Sequence, residues 1–506
     1  MVEALDIINA VSAELTEAQR NALTGVRTYA NDKVVRVSKK KKKKKKKASG
    51  TAIQEHSSHN PTFLDAVLLH DQGNKGKDVV VAVIDTGMWD DDKKAGVDKR
   101  SDVFVDATRP KLETSKNPGD RNGHGTHVAS AMLSDEKLDG EYEGIAPDAD
   151  LIAIKAFDDD GEGSYLNVIR ALDWVLDNRE KQDIRVLNLS FSAPPRSHYW
   201  DDPINQAVMR VWEAGVVVVA SAGNTGPDPM TIGVPGNLPY VITVGAMTDN
   251  FTPFDRADDK LTSFSSAGPT YEGFVKPDVV APGGHVLGRL DPGSAIPGRN
   301  PNSWHSQQDE LYSMSGTSQA AALVSGIAAL MIHDDPSLTP DEVKCRLMAS
   351  ARPAVTGNGT LAYSVFQQGA GLVNALDAVY SSATNCANRG LDIRADLAGT
   401  AHFAGPAQLD DEGRYVIADM QAEGPGYSLD SDGFVWSDGF VWSDGFVWTD
   451  GFVWTDGFVW SDGFVWSDGF VWADGFVWSQ GFVWTQDWDD EDGFDTASID
   501  RWVPHE

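Results

Sequence analysis

The segment Val79-Val80-Val81-Ala82-Val83-Ile84-Asp85-Thr86-Gly87 decides the fold of this chain. Its six apolar residues are followed by an acidic residue, a threonine and a glycine. An apolar run without alternation is typical of a strand buried on both faces, as in a parallel sheet covered by helices. The carboxyl ends of such strands form the edge where α/β sheets bind ligands. We therefore expect Asp85 to lie at a functional edge of a sheet.

The same pattern recurs between residues 61 and about 380. Further apolar runs predict strands at Leu151–Ala156, Arg185–Leu189, Val216–Ala220, Tyr240–Val244 and Asp278–Ala281. Helical spacing predicts helices at Ser164–Arg179, Pro203–Ala214, Gln319–Ile332 and Pro340–Ala351. This alternation predicts an α/β fold in which a central, mostly parallel sheet lies between helical layers.

Two further motifs contain residue types used in acyl transfer. Asn122-Gly123-His124-Gly125-Thr126-His127-Val128-Ala129 opens a helix, and Met314-Ser315-Gly316-Thr317-Ser318-Gln319-Ala320 places a serine before an apolar helix. A serine nucleophile needs a general base, and that base needs a buried carboxylate to fix its tautomer. Each motif alone also has a structural explanation, such as helix capping. Together, in the order Asp85, His124 and Ser318 with intervals of 39 and 194 residues, they predict a catalytic triad.

At these motifs the chain resembles the subtilisin-like serine protease family, and the resemblance runs from about Asn60 to Ala375. It implies a three-layer subtilisin-like domain and a serine endopeptidase. By the same resemblance Asp85 orients His124, His124 is the general base and Ser318 is the nucleophile. Asn224 matches the family's oxyanion-hole asparagine, so its amide and the Ser318 N–H are expected to bind the oxyanion.

The substrate groove is outlined by the same resemblance. Ser190, Phe191 and Ser192 match the edge segment that pairs with the substrate backbone as an added strand. Gly223 and Gly233 are assigned to the same groove, with Gly233 at the floor of the primary pocket. A glycine there leaves the floor open, which favours a large apolar residue before the scissile bond.

The chain divides into six regions. They are a partial inhibitory prosegment (1–38), a Lys-rich processing linker (39–60), the catalytic domain (61–380), a linker (381–430), hexapeptide repeats (431–486) and an acidic tail (487–506). In the first region, helical spacing from Leu15 to Leu23 and the apolar run Lys33–Val37 resemble the last helix and strand of the family's prosegment. We expect this prosegment to inhibit the enzyme and to be removed by cleavage between about Ser38 and Asn60.

Nothing at the N-terminus has the pattern of a signal peptide, since no basic stretch precedes an apolar core. An extracellular or cell-surface location is implied by the resemblance alone. The nine consecutive lysines Lys39–Lys47 have three interpretations, in order of preference an exposed processing linker, a tether to an anionic surface and an artefact of the sequence.

A six-residue repeat, Asp-Gly-Phe-Val-Trp plus Ser, Thr or Ala, occurs in nine copies from Ser431 to Trp484, and the ninth copy has Gln480 in place of Asp. A period of six fits one side of a β-solenoid, and a flexible stalk is an equal alternative. Rows of aromatic side chains suggest contact with carbohydrate, another protein or a cell wall.

The formal net charge of -32 argues against a nucleic-acid partner, because phosphate would be repelled. The family resemblance implies protein or peptide substrates, no cofactor for the chemistry, and structural calcium. An acidic loop offers oxygen ligands at Asp90, Asp91, Asp92 and Asp98, but its sequence defines no ligand set. The two cysteines, Cys345 and Cys386, allow either one disulfide or two free thiols.

Two other functions compete with the endopeptidase. One is a catalytically silent protease-fold module that works in adhesion through the aromatic repeats, and the intact Asp85, His124, Asn224 and Ser318 disfavour it. The other is an esterase with the same triad. The Gly-x-Ser-x-Gly elbow expected of that class is absent, because Ala320 stands where its second glycine would be.

Overall fold

The computed structural model describes residues 2–13, single positions between 15 and 31, and most of residues 59–417. The gaps within this last range are 98–99, 101–102, 110–111, 113, 115–116, 118, 301–302, 306–307, 309, 358 and 411–412. Beyond residue 417 it describes three two-residue strands. Most of the predicted Leu15–Leu23 helix, the predicted Lys33–Val37 strand, the lysine run and most of the repeats lie outside the described residues.

The strands, numbered along the chain, are short. They are β1 Val2–Leu5, β2 Ala10–Ala13, β3 Val80–Asp85, β4 Val103–Asp106, β5 Lys137–Leu138, β6 Glu141–Tyr142, β7 Asp150–Lys155, β8 Ile184–Leu189, β9 Phe191–Ser192, β10 Val217–Ser221, β11 Ile242–Thr248, β12 Lys260–Leu261, β13 Val279–Pro282, β14 Val286–Arg289, β15 Leu311–Met314, β16 Ala407–Leu409, β17 Tyr415–Ile417, β18 Trp460–Ser461, β19 Trp466–Ser467 and β20 Ser498–Ile499.

The helices surround these strands. They are α1 Asn60–Phe63, α2 Ala66–Asp71, α3 His124–Leu133, α4 Tyr165–Asn178, α5 Pro203–Glu213, α6 Ala295–Arg299, α7 Thr317–Asp334, α8 Pro340–Ala349, α9 Val365–Gln368, α10 Ala375–Tyr380 and α11 Ile393–Ala398, with 3-10 turns at Asp6–Ile8 and Arg256–Asp258.

An eight-stranded sheet forms the centre of the domain. Its order is β12-β11-β10-β8-β3-β7-β4, with β13 also paired to β11. Every pair is parallel except β11 with β12. The chain passes from β7 to β8, which lie on opposite sides of β3, so the strand order reverses at β3. Ligands of open α/β sheets bind at such a reversal, outside the carboxyl ends of the strands, and Asp85 is the last residue of β3.

Helices cover both faces of this sheet, as the α/β subtilisin-like fold requires. Each residue of β10 and β11 is buried, because neither face is open to water. Helix α7 packs on β8, β10 and β11 and is buried from Thr317 to Ile332. Helices α4 and α5 pack against each other, and capping side chains start them at Ser164 and Asp202. The fold class predicted from sequence is confirmed.

The first residues form a hairpin that the sequence pattern did not indicate. Strands β1 and β2 are antiparallel, and the 3-10 turn between them packs on α4 and α5. Leu5 and Ile7 are buried, and the Glu3 carboxylate binds the Arg170 guanidinium of α4. The hairpin therefore docks on the outer helices of the domain.

The packed body also continues past residue 380, where sequence placed the end of the catalytic domain. Cys345 of α8 forms a disulfide with Cys386, with their Cα atoms 5.1 Å apart, which settles the state of the two cysteines in favour of a bridge. Asp396 of α11 accepts hydrogen bonds from two buried tyrosines, and Ile417 is buried against the main core. Residues 386–417 thus pack on the domain instead of separating from it.

Three short strands lie beyond residue 417 among the described residues. Strand β18 pairs in parallel with β19, with Trp460 opposite Trp466, an offset of one repeat. The solenoid itself stays a prediction. Strand β20 pairs antiparallel with β9. Among the described residues, none of the helices has the length and apolar character needed to cross a membrane.

Candidate active site

Asp85 and His124 are in direct contact at the carboxyl end of the sheet. Asp85 ends β3 and His124 begins α3, and both side chains are almost completely buried. His124 Nδ1 lies 2.8 Å from Asp85 Oδ1 and 2.9 Å from Oδ2. An ionised carboxylate only accepts hydrogen bonds, so Nδ1 carries the proton and donates it. In the neutral imidazole the other ring nitrogen, Nε2, then has the free lone pair and can act as a base.

Ser318 is the second residue of α7 and is fully buried. Its Oγ donates to the carbonyl oxygen of Ser190 over 3.1 Å, and the Ser190 Oγ donates to the carbonyl oxygen of Ser318 over 3.0 Å. The start of α7 is also linked to α3, because Gln319 Nε2 lies 3.5 Å from His127 Nδ1. The predicted serine, the segment after β8 and the histidine helix thus meet at one edge of the sheet.

Asn224 follows β10 and faces the start of α7. Its Oδ1 accepts hydrogen bonds from the backbone N–H and the hydroxyl of Thr317, each over 3.0 Å. This fixes the orientation of the amide, so Nδ2 points away from Thr317. Nδ2 is buried and has no hydrogen-bond partner among the residues that the structure describes. A buried donor without a partner is costly, and such donors in native proteins call for a functional or structural explanation.

The residues predicted to contact substrate lie along one wall. Phe191 and Ser192 form β9, and Ala193 continues in an antiparallel bridge with Val234. A Cβ on Gly233 would lie 2.9 Å from Ser192 Cβ and from the Ala193 carbonyl oxygen, so the close approach of the two segments requires glycine. The pairing of β20 with β9 shows that this edge accepts an added strand.

Gly223 immediately precedes Asn224. Its φ of +109° is a conformation that side chains disfavour, and a Cβ there would lie 2.9 Å from Ser266 Oγ. Its N–H donates to Thr317 Oγ1 over 3.2 Å. Gly223 therefore sets the path of the chain into Asn224, next to the groove wall.

His127 is held inside the protein by contacts that support the site. It is buried, and its Nε2–H donates to the carbonyl oxygen of Tyr312 over 2.9 Å. Burial lowers the pKa of His127 to about 3, so this imidazole is neutral at neutral pH. Tyr312 belongs to the hairpin β14–β15, which sequence reasoning missed. Helix α6 lies in the connection between these two strands. Its Ala295 N–H donates to the carbonyl oxygen of Arg121, three residues before His124.

The described residues of the acidic loop do not form a calcium site. Asp98 lies outside the described residues, and Asp91 is engaged by the backbone N–H and the ammonium of Lys94. Within the described ranges, no group of three or more His, Cys, Asp or Glu side chains is arranged to hold a metal ion.

Comparison with known proteins identifies the family of the chain. The model of the Subtilase family matches residues 76–371. The chain therefore belongs to the subtilase family and is a subtilisin-like serine endopeptidase, a hydrolase that acts on protein or peptide substrates.

Similar proteins include Serine protease AprX of Bacillus subtilis (strain 168), which is 37% identical over 343 residues, 67% of this chain and 73% of AprX. Subtilisin DY of Bacillus licheniformis is 32% identical over 305 residues, 60% of this chain and 91% of its own length. A solved structure titled S41 Psychrophilic Protease superposes with a TM-score of 0.51 and 26% identity, over 64% of this chain and 99% of its own.

Proposed function

We propose that this endopeptidase hydrolyses peptide bonds with Ser318 as nucleophile, His124 as general base and Asp85 as the residue that orients His124. His124 Nε2 takes the hydroxyl proton while Ser318 Oγ bonds to the carbonyl carbon, and the imidazole then gives that proton to the leaving amine. Water repeats the sequence to release the acyl group. The observation that carries the proposal is the contact of His124 Nδ1 with both oxygens of the buried Asp85 carboxylate.

The oxyanion formed in this attack is bound by the Asn224 amide and the Ser318 N–H. Two features support this role for Asn224. Thr317 holds the amide oxygen, and the buried Nδ2 lacks a partner among the described residues. A donor fixed in advance costs no reorganisation when charge develops on the substrate oxygen.

Substrate binds as a strand on β9, through Ser190, Phe191 and Ser192. The antiparallel pairing of β20 with the same strand supports this, since it occupies the edge that a substrate backbone would use. Gly223 and Gly233 line the groove, and a large apolar residue is preferred before the scissile bond.

The protein is a zymogen that processes itself. Residues 1–38 act as the inhibitory prosegment and 39–60 as the linker that is cut. The docked hairpin supports retention of the prosegment, since Leu5 and Ile7 are buried and Glu3 pairs with Arg170. The mature domain, nominally 61–380, acts outside the cell or at its surface, where the repeats 431–486 contact carbohydrate or protein. Structural calcium belongs to the same proposal, and its test is the melting temperature with and without a chelator.

Casein cleavage by the chain and by its Ser318→Ala variant tests the proposal, with the mass of the N-terminal fragment followed in both. We expect cleavage and N-terminal trimming in the parent and neither in the variant. Ser325→Ala is the matched control, because Ser325 is a buried serine on the same helix that bonds to Asn188 and should retain activity.

One result of the cleavage assay would favour the adhesion alternative. If the folded parent, freed of residues 1–60, cleaves neither casein nor short peptides, the triad assignment fails. Binding of the repeats to a surface would then become the function to test.

A further inference from the structure

Asp120 lies in the loop before α3, four residues ahead of His124, and is 5% exposed. Its carboxylate accepts five hydrogen bonds, from Thr86 Oγ1 (2.8 Å), Asn122 N (3.2 Å), Gly123 N (2.8 Å), Thr126 N (2.9 Å) and Thr126 Oγ1 (2.7 Å). All five partners are donors, so both oxygens of the carboxylate act as acceptors.

These bonds join the two elements that carry the histidine and its carboxylate. Thr86 directly follows Asp85, its backbone N–H donates to Asp85 Oδ1, and its Oγ1 accepts from Gly125 N over 2.9 Å. Thr126 lies in the first turn of α3, and its Oγ1 accepts from Trp89 N. The Asp120 carboxylate therefore fastens the loop after β3 to the first turn of the helix that begins at His124.

We propose that Asp120 is a positioning residue that sets the distance between Asp85 and His124. The inference rests on the proposed function and extends it to a residue outside the triad. Asp120 touches neither reacting atoms nor substrate, and it acts through Thr86 and Thr126. A change that preserves its shape and removes its charge tests this role.

An asparagine in this position cannot make the same five bonds. Its Oδ1 keeps up to three of them, but its NH2 group faces the Thr126 N–H, which is also a donor, and offers no acceptor to the Thr126 hydroxyl. Two donors facing one another repel and leave buried groups unpaired. The first turn of α3 must then shift relative to β3, and the imidazole shifts with it.

The experiment measures kcat, KM and thermal stability of Asp120→Asn on a short peptide. We expect kcat to fall about tenfold to a hundredfold, because displacements of about 1 Å at a catalytic group cost that much. KM should stay within about twofold, since the substrate strand does not bind to α3. A second readout is the far-downfield proton NMR signal of the His124 Nδ1–H bonded to Asp85, which should shift or broaden.

Asp202→Asn is the matched control. Asp202 is also a buried aspartate that caps a helix, accepting from Ile204 N and Asn205 N, and it lies outside the triad segments. This variant should lose comparable stability while kcat and the downfield proton signal stay as in the parent. Equal kcat in Asp120→Asn and the parent, with an unchanged signal, would overturn the inference.

Thr126→Val gives a second route if Asp120→Asn does not fold. It removes the hydroxyl donor to Asp120 at nearly constant shape, together with the acceptor for Trp89 N, and leaves the other four bonds of Asp120 in place. We therefore expect a smaller fall in kcat with KM unchanged. Where both variants fold, their effects on kcat should be less than additive, because they break the same contact. Loss of activity in Ser318→Ala with no effect on kcat in either of these variants would refute the role of Asp120 and leave the proposed triad standing.

Discussion

Lys276 Nζ lies 2.6 Å from Asp278 Oδ2, and these side chains are only 1% and 6% exposed. The same carboxylate faces a second buried ammonium, since Lys344 Nζ is 3.1 Å from Asp278 Oδ1. The backbone carbonyl oxygens of Pro239 and Val241 also accept from Lys276. One carboxylate between two lysines compensates the buried charge only in part. Burial therefore lowers the pKa of Lys276 from its usual 10.5 to about 7.

This lowered pKa predicts a pH-dependent stability. Between about pH 7 and 10.5 the unfolded chain binds a proton that the folded chain has released, so this group makes folding more favourable as pH rises. Lys276→Met removes the titrating group. We expect the melting temperature of the parent, minus that of the variant, to increase from pH 7 to pH 10. Lys181→Met, at an exposed lysine, is the control, and its melting temperature should change with pH as that of the parent does. A difference in melting temperature between the parent and Lys276→Met that is constant from pH 7 to pH 10 would contradict the account.

Asn224→Ala removes the proposed side-chain donor to the oxyanion. We expect kcat to fall by about 10²–10³ with little change in KM, since the interaction is made in the transition state. Steady-state kinetics on a peptide substrate measure both constants. Asn178→Ala, which removes an amide at the far end of α4, is the control and should leave kcat unchanged. A fall in kcat of less than threefold in Asn224→Ala would remove Asn224 from the oxyanion site.

The disulfide between Cys345 and Cys386 closes a loop with a sequence separation of 41 residues. A cross-link of this span stabilises a fold by about 4 kcal/mol, mainly by restricting the unfolded chain. The double change to alanine should lower the free energy of unfolding in urea by up to that amount. Its kcat should match the parent at temperatures where both are folded, because the bridge joins α8 to the segment after α10. Unchanged stability would show that the bridge is not formed.

The pairing of β20 with β9 predicts competition between the C-terminal tail and substrate. Removal of residues 487–506 should lower KM for a short peptide several-fold and leave kcat unchanged, because a tethered strand competes at high effective concentration. Ile499→Pro removes one backbone donor from β20 and should act in the same direction. A synthetic peptide of residues 494–506 should inhibit the truncated enzyme competitively. Identical KM values for full and truncated chains would rule out occupancy of β9 by the tail.

Sequence was a good guide where one physical signal dominates. The six predicted central strands are present because continuous apolar runs such as Val81–Ile84 are buried on both faces. The contact of Asp85 with His124 was likewise predicted, because one motif ends a strand at Asp85 and the other begins a helix at His124. The short edge strand Val103–Asp106 was missed, since a strand with one neighbour is only partly buried and gives a weak pattern.

The groups that support the site were harder to predict. The contacts of Asp120 and Thr317 depend on loop conformation, which the spacing of residues along the sequence does not predict. A cue existed for Asp120, an aspartate shortly before a predicted helix start, where capping residues are common. The hairpin β14–β15 and residues 386–417 pack through scattered side chains such as Tyr312 and Asp396, so periodicity could not reveal them.

The most direct test of the central claim is the mass of the adduct formed with a serine-directed fluorophosphonate. Ser318 Oγ displaces fluoride from phosphorus only where a base takes its proton, so the reagent reports an activated serine. We predict one adduct per folded chain, mapped to Ser318, with loss of peptide cleavage in proportion and no adduct in urea or in Ser318→Ala. An adduct on another residue, or cleavage that survives complete labelling of Ser318, would contradict the account.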